Sequence, residues 1–163
     1  MAKEVTNKPI VSNWIGGMYI SILIFVALLY LIVYLFIEVN EAANFLKSIF
    51  NAAMILVLLI ILITTIGFYN TKYRIKDGFL HSWSPFMIIK VNIKDIKKVE
   101  KTMVPIHFRV GASLYSGSFY VPNLGWVNSI ITNLKDAILI TTKKDKYYMI
   151  TPSNPEKFMK LLK

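Results

Sequence analysis

The chain has 163 residues, 55% of them hydrophobic, with a mean hydropathy of +0.53 and a net charge of +10, which allows one modest soluble domain beside a membrane anchor but not two domains of ordinary size. It contains no cysteine, which excludes a disulfide framework, a thiol nucleophile and thiolate metal sites, and its two histidines are far apart, which argues against a zinc centre. The charge is uneven: Lys3, Lys8 and Lys47 balance Glu4, Glu38 and Glu41, so the whole excess lies after Thr71.

Residues 1–13 form a short polar stretch, read as a cytoplasmic N-terminal segment. Residues 14–36 are apolar and, at 1.5 Å per residue, span roughly 34 Å, enough for a transmembrane helix. The run is too long for a signal-peptide core, and no small-residue cleavage pattern follows it. Trp14 and Tyr19 near one end, with Tyr30, Tyr34 and Phe36 near the other, suit interfacial aromatic belts. Residues 37–49 make a short connection that forces the spans into an antiparallel hairpin. Residues 50–69 supply a second charge-free span of roughly 30 Å. Thr64 and Thr65 within it can bond back to helix carbonyls. The absence of an ionisable residue inside either span argues against a pump or proton-coupled transporter. Lys3 and Lys8 on one flank and Lys72, Arg74, Lys76 and Lys90 on the other outweigh Lys47 in the loop. The positive-inside rule therefore predicts a multi-pass protein of the plasma membrane with both termini cytoplasmic and residues 37–49 outside.

From Lys72 the periodicity changes from helix to strand. Lys72, Arg74 and Lys76 alternate with Tyr73 and Ile75, and Asp77-Gly78 predicts a hairpin turn into a strand ending at Trp83. Residues 86–93 and 96–101 read as further strands, separated by turns at Ser84-Pro85 and Lys94-Asp95. The stretch from 102 to 121, with its Ser/Gly clusters around Leu114 and Tyr115, reads as a flexible loop or bulged hairpin. Residues 137–142 and 147–151 predict a terminal hairpin. Asn154, Pro155 and Glu156 then supply the cap, first position and dipole partner of a final helix, whose Phe158, Leu161 and Leu162 share one face.

Strands, a terminal hairpin and one closing amphipathic helix follow the order of a pleckstrin-homology-like barrel. The wording around Tyr73-Arg-Ile-Lys-Asp-Gly, Ile93-Lys-Asp-Ile-Lys-Lys-Val-Glu, and the segments 137–142 and 146–158 resembles the prokaryotic PH-like domains found behind paired transmembrane helices. The resemblance covers residues 71–163. It implies an α+β membrane protein: a two-helix transmembrane hairpin followed by a PH-like bent antiparallel β-barrel or sandwich with a C-terminal capping helix. It also implies an interaction or regulatory module, and for some small membrane-bound relatives immunity against a membrane-active peptide. The phosphoinositide site of eukaryotic PH domains does not transfer, because no matching basic signature occurs in the first strand-loop-strand.

Of the six carboxylates after Thr71, Asp77, Asp95, Glu100, Asp136, Asp145 and Glu156, most fall in turns or at a helix start, where structure alone explains them. His81 and His107 lack a nucleophile or ligand spacing, and Gly111 and Gly117 lack the lysine and helix of a phosphate loop. No enzyme activity, catalytic residue, metal or cofactor is expected. Two surfaces are. Lys72, Arg74, Lys76, Lys90, Lys94, Lys97 and Lys98 form a candidate face for anionic bilayer lipid, although edge lysines also discourage strand pairing. Leu114, Tyr115, Phe119, Tyr120 and Trp126 form a candidate surface for a protein partner or a second copy, which would make the chain a scaffold or accessory subunit, although a buried core is the more common fate of Phe and Trp. Nucleic acid is not an expected partner.

Overall fold

The two apolar runs fold as α1 (Asn13–Val39) and α2 (Asn44–Tyr69) in a computed structural model that describes residues 4–39, 44–104, 109–110, 115–122 and 124–162. Each helix is ~40 Å long, more than a bilayer's hydrocarbon core. Protein buries only 6% and 11% of their most apolar stretches, which separates them from the core helices of a soluble domain. Ile24, Phe25, Leu28, Ile32, Leu59 and Ile63 all face outward. Within the hairpin, the Tyr30 hydroxyl donates to Asn51 Oδ1 at 3.2 Å, and its ring lies 6.0 Å from that of Phe50. Thr64 and Thr65 donate back to the carbonyls of Ile60 and Ile61. α2 starts before residue 50 because the preceding turn is helical too, with Ser48 Oγ bonded to the Asn44 carbonyl.

These helices, from Asn13 to Ile66, make one unit, while the segment before them and everything from Gly67 onward make another. The N-terminal segment is therefore grouped with the strands of the second unit. Its residues Val5–Asn7 form β1, which pairs antiparallel with β2 (Tyr73–Lys76), Val5 opposite Ile75 and Asn7 opposite Tyr73. Further on, Ser12 N donates to the Thr132 carbonyl at 2.8 Å, and Asn7 Oδ1 accepts from both Ser153 N and Ser153 Oγ. A strand of three residues is too short to carry a readable alternation, and its partner lies beyond the whole hairpin.

β1 and β2 continue into β3 (Phe79–Ser84) and β4 (Met87–Asn92), giving a four-stranded antiparallel sheet in sequence order. Asp77 and Gly78, with φ of 52° and 77°, make the two-residue turn that places Lys76 opposite Phe79. Both residues need positive φ, which glycine adopts freely and aspartate tolerates. Tyr73, Ile75, Leu80, Ile89 and Val91 face inward.

After a short 3-10 turn at Ile93–Asp95 the chain builds a six-stranded sheet from β5 (Ile96–Thr102), β6 (Arg109–Val110), β7 (Ser116–Val121), β8 (Gly125–Ile130), β9 (Ala137–Thr142) and β10 (Tyr147–Ile150). The order is β5-β9-β10-β8-β7-β6, and every pairing is antiparallel except β8 with β10, which run parallel. The Ser/Gly segment, read as a flexible loop or a bulged hairpin, is partly strand and pairs in hairpin fashion with its neighbours. Ser118 Oγ bonds Asn128 Oδ1 at 2.6 Å, Ser129 Oγ donates to the Gly117 carbonyl, and Phe119 is buried, so small residues are held in the ladder by their neighbours on β8. Residues 105–108 and 111–114 lie outside the described residues. The closing helix α3 (Pro155–Leu161) has its cap as expected, Asn154 Oδ1 accepting from Lys157 N at 2.9 Å. α3 lies against β5 and β9 and buries Phe158.

The sheets meet at Tyr73, which is fully buried. Its hydroxyl donates to the Ile130 carbonyl at 2.9 Å and accepts from Thr151 N at 3.2 Å, and its ring stands edge-on to Phe158. Thr151 Oγ1 lies 3.3 Å from the phenol oxygen and accepts from Thr132 N, and Thr132 Oγ1 donates to the Ile10 carbonyl. Burial pushes the Tyr73 phenol above its ordinary value of 10.0, against the lowering effect of its bonds to Thr151.

Two outcomes follow from these contacts. Deleting residues 1–9 removes β1 and the Asn7 bonds, and the melting temperature of the detergent-solubilised chain is expected to fall by an amount equivalent to about 1–3 kcal/mol. An unchanged melting temperature would show that β1 contributes nothing. Tyr73→Phe strands the Thr151 amide and is expected to cost about 1–3 kcal/mol. Because the folded phenol's pKa is raised, its stabilising contribution is complete below the ordinary value of 10.0 and is lost as pH rises through the folded value. Denaturation measured against pH is thus expected to steepen in the alkaline range for the wild type and less so for Tyr73→Phe.

Candidate functional site

The two tight turns of the first sheet fix which side chains meet on its outer face. With Lys76 opposite Phe79 and Ser84 opposite Met87, Arg74, His81 and Lys90 fall in one cross-strand row. Trp83 and Ile88 face each other in the next row towards the β3–β4 turn. Lys72, Arg74, Lys76, His81, Trp83 and Ile88 line a concavity of about 520 Å³. Its cations are not neutralised from within. Among the described residues no carboxylate lies within ion-pair distance of Lys72, Arg74, Lys76 or Lys90, and the Lys90 ammonium sits 4.9 Å from the centre of the Phe79 ring. Four cations on and beside one small sheet repel one another, and an anion placed among them relieves that repulsion.

The remaining lysines of the expected basic face lie elsewhere. Lys94 is exposed in the turn before β5. Lys97 and Lys98 belong to β5 in the other sheet, where Lys97 pairs with Asp145 at 3.5 Å and Lys98 with Glu100. The register shift between Ile96 and Lys98 against β9 is a bulge, which explains why both neighbouring lysines face solvent. Lys101, further along β5, is likewise paired, with Asp136 at 3.3 Å. Lys97 and Lys98 thus lie on a strand of the other sheet, each beside an acidic neighbour, and not in the row formed by Arg74, His81 and Lys90.

A smaller concavity of about 170 Å³ lies between β4 and the β9–β10 turn, lined by Lys90, Asp95, Thr142, Lys144, Lys146 and Tyr148. Asp95 gives it a countercharge that the larger one lacks.

The expected partner surface divides as well. Tyr115 and Phe119 are buried, Phe119 within a cluster of Val104, Val127, Ile131, Ala137, Leu139 and Met149, and so cannot be presented to a partner. The strand alternation of β7 turns Phe119 inward and Tyr120 outward. Tyr120 and Trp126 are 54% and 57% exposed, enough to be reached from solvent, and stand opposite each other edge-on at 5.9 Å. Leu114 lies outside the described residues, as does His107.

His81, Trp83 and Ile88 were not among the expected site residues. The signal was available for His81, since a two-residue turn at Asp77-Gly78 sets it opposite Arg74 by counting. No comparable signal marked the concavity, which depends on how the sheet curves.

The family model for a bacterial PH domain matches residues 71–163. No curated protein and no solved structure matches the chain. The matched segment begins two residues before β2 and so leaves β1 outside it.

Proposed function

The chain belongs to the bacterial PH domain family, and on that premise we propose that it is a membrane-anchored, non-enzymatic interaction module whose first sheet binds anionic lipid headgroups at the cytoplasmic face of the membrane. The observation that carries this reading is the set of cations on β2 and β4 and just before β2 that lack carboxylate partners among the described residues, Lys72, Arg74, Lys76 and Lys90, around or beside a concavity also lined by Trp83 and Ile88. Cations for a phosphate and an apolar floor for its glycerol and first methylenes suit an amphipathic anion better than a free one. The anchoring rests on the length and composition of α1 and α2. Residues on both sides of the hairpin share one sheet, so they occupy one side of any bilayer it crosses, as an even number of crossings requires. The basic flanks favour the cytoplasm for that side.

A second reading, a scaffold for a protein partner, draws on the exposed Tyr120–Trp126 pair, since paired aromatics at a sheet surface are common contact anchors. Immunity toward a membrane-active peptide rests on the resemblance alone and gains no residue from the geometry.

Native mass spectrometry of the full-length chain, comparing retention of phosphatidylglycerol with phosphatidylcholine, tests the lipid reading. Each cation near the surface contributes about 1 kcal/mol, so the Lys72→Gln/Arg74→Gln double variant is expected to weaken phosphatidylglycerol retention roughly thirtyfold. Lys97→Gln/Lys98→Gln, which removes cations already paired on β5, is expected to change it little. Equal weakening by both would mean that net charge alone drives binding and would sink the site. For the scaffold reading, crosslinked capture from the host membrane is expected to be lost with Trp126→Ala, and capture that survives this change would remove that pair from consideration.

A further inference from the structure

We infer that the β3–β4 turn is a membrane wedge, its Trp83, Phe86 and Ile88 lying at the boundary between headgroups and acyl chains in the leaflet where α2 ends. Three apolar side chains cluster there in water-accessible positions, Trp83 54%, Phe86 42% and Ile88 72% exposed, a concentration unusual for a turn that has to face water. The hairpin from Gly78 to Ile89 carries no formal charge apart from its histidine, so immersing its tip requires no buried ion.

The turn is firmly placed. Ser84 Oγ donates to the Met87 carbonyl at 3.2 Å, and Pro85 is pressed onto Gly67 in the last turns of α2. A Cβ added at Gly67 would lie 2.5 Å from both Pro85 Cγ and Cδ, and 2.7 Å from the Tyr115 hydroxyl, closer than a rigid ring can tolerate. Phe68 is buried beside this contact, edge-on to Tyr115 at 5.2 Å. The tip is thus fixed against Gly67, which follows in sequence a stretch from Ser48 to Ile66 that carries no charge. Lys72 and Arg74 border the apolar tip through the shared concavity. Cations beside exposed tryptophan form the composition that settles at a lipid interface.

The inference rests on the membrane-anchored reading of α1 and α2 but not on the choice of an anionic ligand, and the experiment keeps these apart. Full-length chain carrying Trp14→Phe and Trp126→Phe retains Trp83 as its sole tryptophan reporter and is reconstituted in neutral phosphatidylcholine vesicles. Companion variants retain only Trp126 or only Trp14. Trp83 is expected to lose most of its emission to lipid brominated on the acyl chains and to be shielded from acrylamide, whereas Trp126 is expected to show the reverse. A Trp83 quenched by acrylamide as readily as Trp126, and untouched by brominated lipid, overturns the wedge. So does a Trp83 shielded from both, which would place a protein surface over the tip. If Trp14 is quenched by brominated lipid and Trp83 is not, the wedge alone fails. If neither is quenched, the anchoring reading fails with it. Phe86→Trp in a background with all three native tryptophans replaced by phenylalanine supplies an independent reporter at the tip, with the same outcomes.

Discussion

The hydroxyl of Tyr73 holds together segments that are far apart in the chain. A phenol sealed from water must find hydrogen-bond partners or lose the stability its burial brings. Its partners here are the Ile130 carbonyl at the end of β8 and the Thr151 amide just beyond β10. Thr151 and Thr132 extend the chain of bonds to the Ile10 carbonyl. The strand that follows the second helix, the segment that precedes the first, and the ends of two strands in the other sheet are therefore joined through a few buried oxygens. The protons can be assigned without conflict: Tyr73 donates to Ile130, Thr132 to Ile10, and Thr151 to either neighbouring hydroxyl.

This closure makes the apolar hairpin an insertion between the paired strands β1 and β2 rather than a leader in front of the domain. β1 and β2 are thus paired across the whole length of both helices. The hairpin departs after Ser12, whose amide is bound to Thr132, and returns at Gly67 beneath Pro85.

The basic face depends on the same sheet. Turns of two residues leave no freedom of register, so Arg74, His81 and Lys90 align because Asp77-Gly78 and Pro85-Phe86 are both two residues long. Their inward neighbours, Tyr73 to Val91, are buried, and a slip by one residue would expose that core. The second sheet treats its lysines differently, giving Lys97, Lys98 and Lys101 acidic neighbours. Charge is therefore balanced on β5 and left unbalanced on β2 and β4.

Local patterns in the sequence determined the helical hairpin, the turn at Asp77-Gly78, the β9–β10 hairpin and the capped final helix, because unbroken apolar length, positive-φ residues and capping side chains act within a few residues of themselves. The family resemblance could be read from residues 71–163 for the same reason, with strand and turn signals in recognisable order. Tertiary structure decided the rest. That Val5–Asn7 is a strand depends on β2, beyond the hairpin. Whether Phe119 or Tyr120 faces a partner depends on the register with β8, since alternation places one inward without saying which. Which lysines remain unpaired depends on sheet membership, a long-range property that composition and periodicity do not record.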